Sequence, residues 1–301
     1  MGFAIPQVKY KTGVVLVLIS ALVFSSAGIF TKSVTTDAWG VIFWRGLAAA
    51  IFTFGYLVLR GDLKKEISLF GFPALAVASV MALGTVAFIP AFKLTSVANV
   101  ALIWAGAPFF TAVLAWIFIN ERPARIVLIA SSAAFCGACI IVLGPLGATN
   151  IIGDLLALWM TLMMATAFVI YRRWPKTTAA LPAAVSSLFL LPIALFFGDP
   201  ISSPMSELPI LTVFGLVFAV ASVTLSEGAR RLPSAQVALL SALETPLAPI
   251  LAFLILQEIP AISTIIGGSV IFIAVIWSQR ATHVKQALDN GTNQNFTANS
   301  S

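Results

Sequence analysis

A single carboxylate, Glu244, sits inside a long apolar run, ten residues past Ser234 where that run begins (SAQVALLSALETPLAPILAFLIL). At 1.5 Å per helical residue it lies roughly 15 Å deep, near the middle of a roughly 30 Å hydrocarbon layer. An acid at that depth is costly and turns toward the protein interior. Three roles are open to it: binding a substrate amine, carrying a coupling proton, or capping a helix broken by Pro246. Gln236 and Ser241 share its side of the helix within an arc of about 140°, a polar stripe suited to lining a cavity. Arg45, in Phe43-Trp44-Arg45-Gly46, is the other charge deep in an apolar segment. It either meets a substrate carboxylate or bonds carbonyls of a neighbouring helix. Trp104, Trp159 and Met163 also lie deep and could hold an apolar side chain.

Other chemistries are missing. No HExxH, P-loop, GxSxG or paired-carboxylate pattern occurs, and the only histidine, His283, lies in a polar tail. The expectation is therefore no enzyme, no metal site, no cofactor and no ATP-driven pumping by this chain alone. Cys136 and Cys139 form CGAC without further ligands, and read as small packing residues.

The elements that must position these residues are membrane helices. The chain is 60% hydrophobic and 9% charged, with mean hydropathy +1.04. Ten apolar segments follow one another, at about 13–32, 38–59, 69–92, 97–119, 125–144, 152–171, 180–198, 208–229, 234–257 and 262–280. The runs are continuous rather than alternating, which favours helices over a strand barrel. The partner this implies is a lipid bilayer. The +6 charge does not imply nucleic acid once its placement is read. With the N-terminus in the cytoplasm, inner loops and tails carry fourteen Lys and Arg, and outer loops only Lys32 and Lys93. That bias places both termini inside.

The second five segments repeat the first. Ser96–Pro123 aligns with Pro233–Pro260 at one constant offset without a gap, and nine aligned positions are identical. Asn99, Trp104 and Ala107 thereby correspond to Gln236, Ser241 and Glu244, and Glu121 to Glu258. An odd number of segments per unit turns the second unit upside down, the arrangement found in carriers that alternate access to a central site. The domains read as a 1–12 tail, a five-helix repeat over 13–144, its inverted partner over 152–280, and a disordered tail over 283–301. Pro108 in the fourth segment and Pro246 with Pro249 in the ninth interrupt the helices, either as packing kinks or as the mark of a central site and its gates. Ala130, Ala134 and Ala138 in the fifth segment and Gly267 and Gly268 in the tenth suit packing or a homodimer face.

The junction APFFTAVLAWIFINERP, its echo ETPLAPILAFLILQEIP and the run FWRGLAAA resemble the drug/metabolite transporter superfamily in its ten-helix form with two EamA-type repeats. The likeness covers about residues 13–280. Asn120 and Gln257 stand where that family often has Gly before the Glu. The resemblance implies an all-helical bundle whose first, third, fourth, sixth, eighth and ninth spans surround a cavity. It implies a multi-pass secondary transporter of the bacterial inner membrane that exports small molecules, amino acids including aromatic ones among them. Drugs, nucleobases and facilitative flow through a pore are the alternatives.

Overall fold

The computed structural model describes residues 7–95, 97–142, 150–256 and 262–298. These residues form helices without a strand, since a helix is the local structure that pairs its own backbone groups where water is absent. The first apolar segment is split into α1 (Gln7–Phe24) and α2 (Ala27–Lys32). The second is α3 (Ala38–Arg60), followed by a short α4 (Leu63–Ser68), and the third is α5 (Phe72–Leu94). The fourth is split into α6 (Val97–Ala105) and α7 (Ala107–Ile119), and the fifth is α8 (Arg125–Val142). The second half continues with α9 (Ile151–Arg173), α10 (Ala180–Phe197) and α11 (Leu208–Ala229). Its fourth segment is split into α12 (Ser234–Ser241) and α13 (Glu244–Leu256), and its fifth is α14 (Ile262–Ala298).

Among the described residues nine segments are long and apolar enough to cross a membrane, and α8 is shorter, apolar over Arg125–Ile141. The tail expected to be disordered from residue 283 differs: α14 continues to Ala298. Lengthening an existing helix adds a hydrogen bond per residue and bears no nucleation cost. Gln257, Glu258 and Pro260, the end of the sequence echo, lie outside the described residues.

The packing repeats as the sequence does. α5 lies along α9, and its counterpart α11 lies along α1. α5 also packs on α10, as α11 packs on α3. α3 packs on its own counterpart α10, and α8 on its own counterpart α14. Exchanging the halves maps contact onto contact, the mark of a two-fold relation. α7 packs on α12 and α6 on α13, so the two broken segments run antiparallel. Corresponding helices thus point in opposite directions, as five segments per half require.

Two details extend this relation beyond the aligned stretch. Lys93, at the end of α5, donates to the carbonyls of Val34 and Thr36 at 3.2 and 3.0 Å. Arg230, its counterpart at the same offset, donates to the carbonyl of Pro175 at 3.1 Å. Each binds the loop between the first two segments of its own half. In return, Glu207 of the second half accepts from the N–H and hydroxyl groups of Thr35 and Thr36 at 2.6–3.0 Å. Glu66 of the first half accepts from the Leu181 N–H at 2.8 Å. The same crossed clasp closes loops at both ends of the bundle.

The small-residue stripes meet inside the chain. Ala130, Ala134 and Ala138 are fully buried, and a Cβ on Gly137 would lie 2.6 Å from the Gly267 carbonyl oxygen. This close approach of α8 and α14 uses the surface read as a packing or dimer face, without a second copy.

Candidate functional site

The site is organised by the two helix breaks, which fall at the same aligned position. In the fourth segment Gly106 N–H bonds the Ile103 carbonyl at 3.1 Å, and in the ninth Leu243 N–H bonds that of Leu240 at 3.2 Å. The repeat matches Gly106 to Leu243 and Ile103 to Leu240. Both bonds reach back three residues instead of four, tightening the turn where one helix stops and the next begins. The prolines explain why. Pro108 sits in the first turn of α7, where its missing N–H costs nothing to α7 but deprives Trp104 of a carbonyl partner. Pro246 offers no N–H to the Ala242 carbonyl, and Thr245 donates there instead, at 3.1 Å. Pro108 and Pro246 therefore end helices rather than merely bend them. Pro249, by contrast, lies inside a helix, α13.

Glu244 is the first residue of α13, where the free amides of a helix start favour negative charge. It is half-buried. No ion pair reaches it among the described residues. The hydroxyls of Ser241, three residues before it, and of Thr245, next to it, are buried and unpartnered among the described residues, as is Trp104 Nε1 at the matching end of α6. The two breaks thus carry, at aligned positions, two hydroxyls and an indole N–H that the described residues do not satisfy, with the half-buried Glu244 carboxylate beside the hydroxyls. Buried polar groups in that condition are costly, and a bound solute or water would relieve them.

The other residues singled out by sequence lie elsewhere. Gln236 is held in a cluster: its amide donates to the Tyr10 hydroxyl and, at 3.0 Å, to Gln279 Oε1, which also accepts from Tyr10. Its counterpart Asn99 donates to Thr95 Oγ1 at 3.2 Å and Asp154 Oδ1 at 3.4 Å. In both cases the fourth segment of one half is tied to the first segment of the other. These ties were not legible from the polar stripe, since Tyr10 and Asp154 fall outside the aligned stretches. Trp159 donates to the Leu83 carbonyl at 3.1 Å, and Met163 packs beside Gly84, so both lie on the seam of α9 with α5. The pair is separate from the helix breaks, although the neighbouring Met160 joins Trp104 in one apolar cluster. Apart from these, Glu227 at the end of α11 pairs with Arg230 at 3.1 Å and with Arg231, a local arrangement.

Arg45 is fully buried, and none of its nitrogens has a hydrogen-bond partner among the described residues. Its guanidinium lies 3.9 Å from the centre of the Phe218 ring and 5.4 Å from that of Phe214. Phe218 in turn meets Phe24 edge-on and Phe214 stacks on Phe30, the rings flanking the break between α1 and α2. Of the two roles left open, bonding to the carbonyls of a neighbouring helix is not seen among the described residues; the guanidinium has a cation–π seat, with the rings of α11 against it. Phe218→Leu is expected to lower stability in detergent by about 2 kcal/mol, the order of a desolvated cation–π contact. A thermal-unfolding midpoint equal to the parent's would remove Arg45 from the fold's support.

Residues 11–143 and 151–279 each match the EamA-like transporter family. A crystal structure described only as that of a protein superposes on 92% of this chain and 99% of its own length, with TM-score 0.77 at 15% identity. That likeness is one of fold alone. Among curated proteins none matches.

Proposed function

Because the chain belongs to the EamA-like transporter family, we propose that it is a secondary transporter that exports small amphipathic solutes, amino acids including aromatic ones, by alternating access. The observation that carries this reading is the pair of antiparallel broken helices with the unsatisfied Ser241, Thr245 and Trp104 groups and the half-buried Glu244 without an ion-pair partner among the described residues. Interrupted helices at matching depth in two inverted halves form the usual binding site of such carriers. Glu244 would receive the solute's amine or the coupling proton, and Ser241 and Trp104 its remaining polar and apolar parts. Trp159 and Met163 would join the pocket only when α9 and α5 shift. Gln236 belongs to the tie that must break during the cycle, and Pro108, Pro246 and Pro249 to the hinges.

The ten-span reading takes α8 as a membrane helix, since its apolar run falls within the roughly 17–25 residues that suffice to span. The face carrying Arg122, Arg172 and Arg230 is the cytoplasmic one by its positive charge, and the membrane is a bacterial inner membrane.

Purified protein in liposomes is expected to accumulate one or more of a panel of radiolabelled amino acids saturably, with counterflow driven by unlabelled solute. Uptake that neither saturates nor shows counterflow would make the protein a pore. Uptake of none of the panel, with lipophilic cations or nucleobases carried instead, would reassign the substrate.

A further inference from the structure

A cavity of about 210 Å³ lies away from the helix breaks, between the halves on the positively charged face. Ala112, Ala115 and Glu121 line it from the first half, and Arg172, Ala235 and Gln236 from the second. Its volume is below the roughly 300–1,000 Å³ of sites for drug-sized ligands, which restricts it to a small solute. Glu121 stands at its mouth and spans the seam. One carboxylate oxygen accepts from Arg172 Nε at 2.5 Å, and the other from the Ser234 N–H, where α12 starts, at 3.3 Å. Asn120, in the left-handed conformation (φ 51°), turns the chain out of α7 so that Glu121 reaches back across the opening. Both ionic side chains keep about a fifth of their surface in contact with solvent.

This pair is the only salt bridge among the described residues that joins one half to the other. It places the cavity's one acid on one wall, next to Arg122, and the guanidinium of Arg172 on the facing wall, and of the two guanidiniums it is Arg172 that Glu121 holds. Each now satisfies the other. A solute bearing an ammonium and a carboxylate a few ångströms apart could replace both partners at once. A solute with a single charge would leave Arg172 or Glu121 stranded at a partly buried position, and an uncompensated charge of that kind disfavours the wrong ligand strongly.

We propose that this cavity is the cytoplasmic seat for a zwitterionic solute, with Glu121 receiving its ammonium and Arg172 its carboxylate, and that the Glu121–Arg172 pair shuts the mouth while the seat is empty. The proposal deepens the transport reading above by naming the charge pattern of the solute. It sits on the path before the helix breaks, and Gln236, which lines it, is tied to Tyr10.

The test uses the full chain in liposomes, with Cys136 and Cys139 replaced by Ala and Ala112→Cys as a reporter in the cavity wall. The rate of reaction with a membrane-impermeant maleimide is measured. A mixture of nineteen amino acids at millimolar concentration, with cysteine left out because its thiol would consume the maleimide, is expected to slow labelling at least threefold in the otherwise native protein. Phenethylamine and phenylacetate, each with one of the two charges, are expected to leave the rate unchanged. Glu121→Gln and Arg172→Gln are each expected to speed labelling about fivefold, the order expected for release of a partly exposed ion pair, and to abolish protection by amino acids. Equal protection by the singly charged compounds, or none by the amino acids, would overturn the proposal without any substitution at the gate. Protection without accumulation of amino acids would leave the seat standing and overturn only the transport reading.

Discussion

Glu244→Gln protein is expected to fold and to lose transport by about 100-fold. The change keeps the shape of the side chain and removes its charge and its ability to release a proton. Glu244 opens α13, and the helix start can stabilise its negative charge by only about 0.3–1 kcal/mol at exposed sites. No cation among the described residues completes that stabilisation. A solute ammonium at this position would add a charged hydrogen bond of about 1.5–3 kcal/mol, which sets the expected loss. The measurement is the initial rate of solute uptake into liposomes, alongside the elution profile of the purified protein in detergent. Retained rate with an unchanged profile would assign Glu244 to the helix start alone.

Gly267→Ala and Gly55→Ala are the same substitution with opposite expected results. At Gly267 the added methyl group would press against the Gly137 carbonyl oxygen and the Ile141 backbone nitrogen of α8. Backbone atoms held in a helix cannot turn away as a side-chain tip can, so α8 and α14 must separate. The cost of such overpacking is about 1–3 kcal/mol, which corresponds to about 5 °C in the unfolding midpoint at its upper end for a chain of this length. At Gly55 nothing lies within 4 Å of the added carbon, and alanine is the better helix former by about 1 kcal/mol. That variant is expected to match or exceed the parent. Thermal unfolding of the two proteins in detergent is the comparison, and an unshifted Gly267→Ala midpoint would contradict the packing described for the fifth and tenth segments.

Much of this architecture could be read from residue order, for physical reasons that differ by element. Continuous apolar runs become helices because lipid offers the backbone no other partner, so Ala38–Arg60 falls within a residue of its sequence reading, while the starts of the first and third segments shift by three or four. The breaks at Gly106 and Leu243 followed from Pro108 and Pro246, since a missing N–H acts locally and needs no knowledge of the fold. Arg45 was not decidable from its own neighbourhood. Its seat is made by Phe214 and Phe218, which belong to α11 in the opposite half, and no local pattern links them. Asn99 and Gln236 were correctly matched to each other, but their partners Asp154 and Tyr10 come from the opposite halves. A polar stripe on one helix reveals which side is polar and not what it meets. Lys93 and Arg230 were open to discovery: they share the offset of the repeat, and following it a few positions beyond the aligned stretch would have paired them. The helical continuation to Ala298 had no sequence signal, because the tail lacks an apolar face and is carried by the helix before it.

The crossed loop clasps are alike in plan and unequal in strength. Glu207 gathers four hydrogen bonds at its end of the bundle, where Glu66 makes one at the other. A carrier built from two identical halves would have no preference between its two opposed conformations, and each would be occupied half the time. Preference enters only through the places where the halves differ, and a difference of about 1.4 kcal/mol changes the ratio tenfold. The unequal clasps are such a place. Under the proposed alternating access, duplication would supply the capacity to switch, and the differences between the halves would decide where the molecule rests.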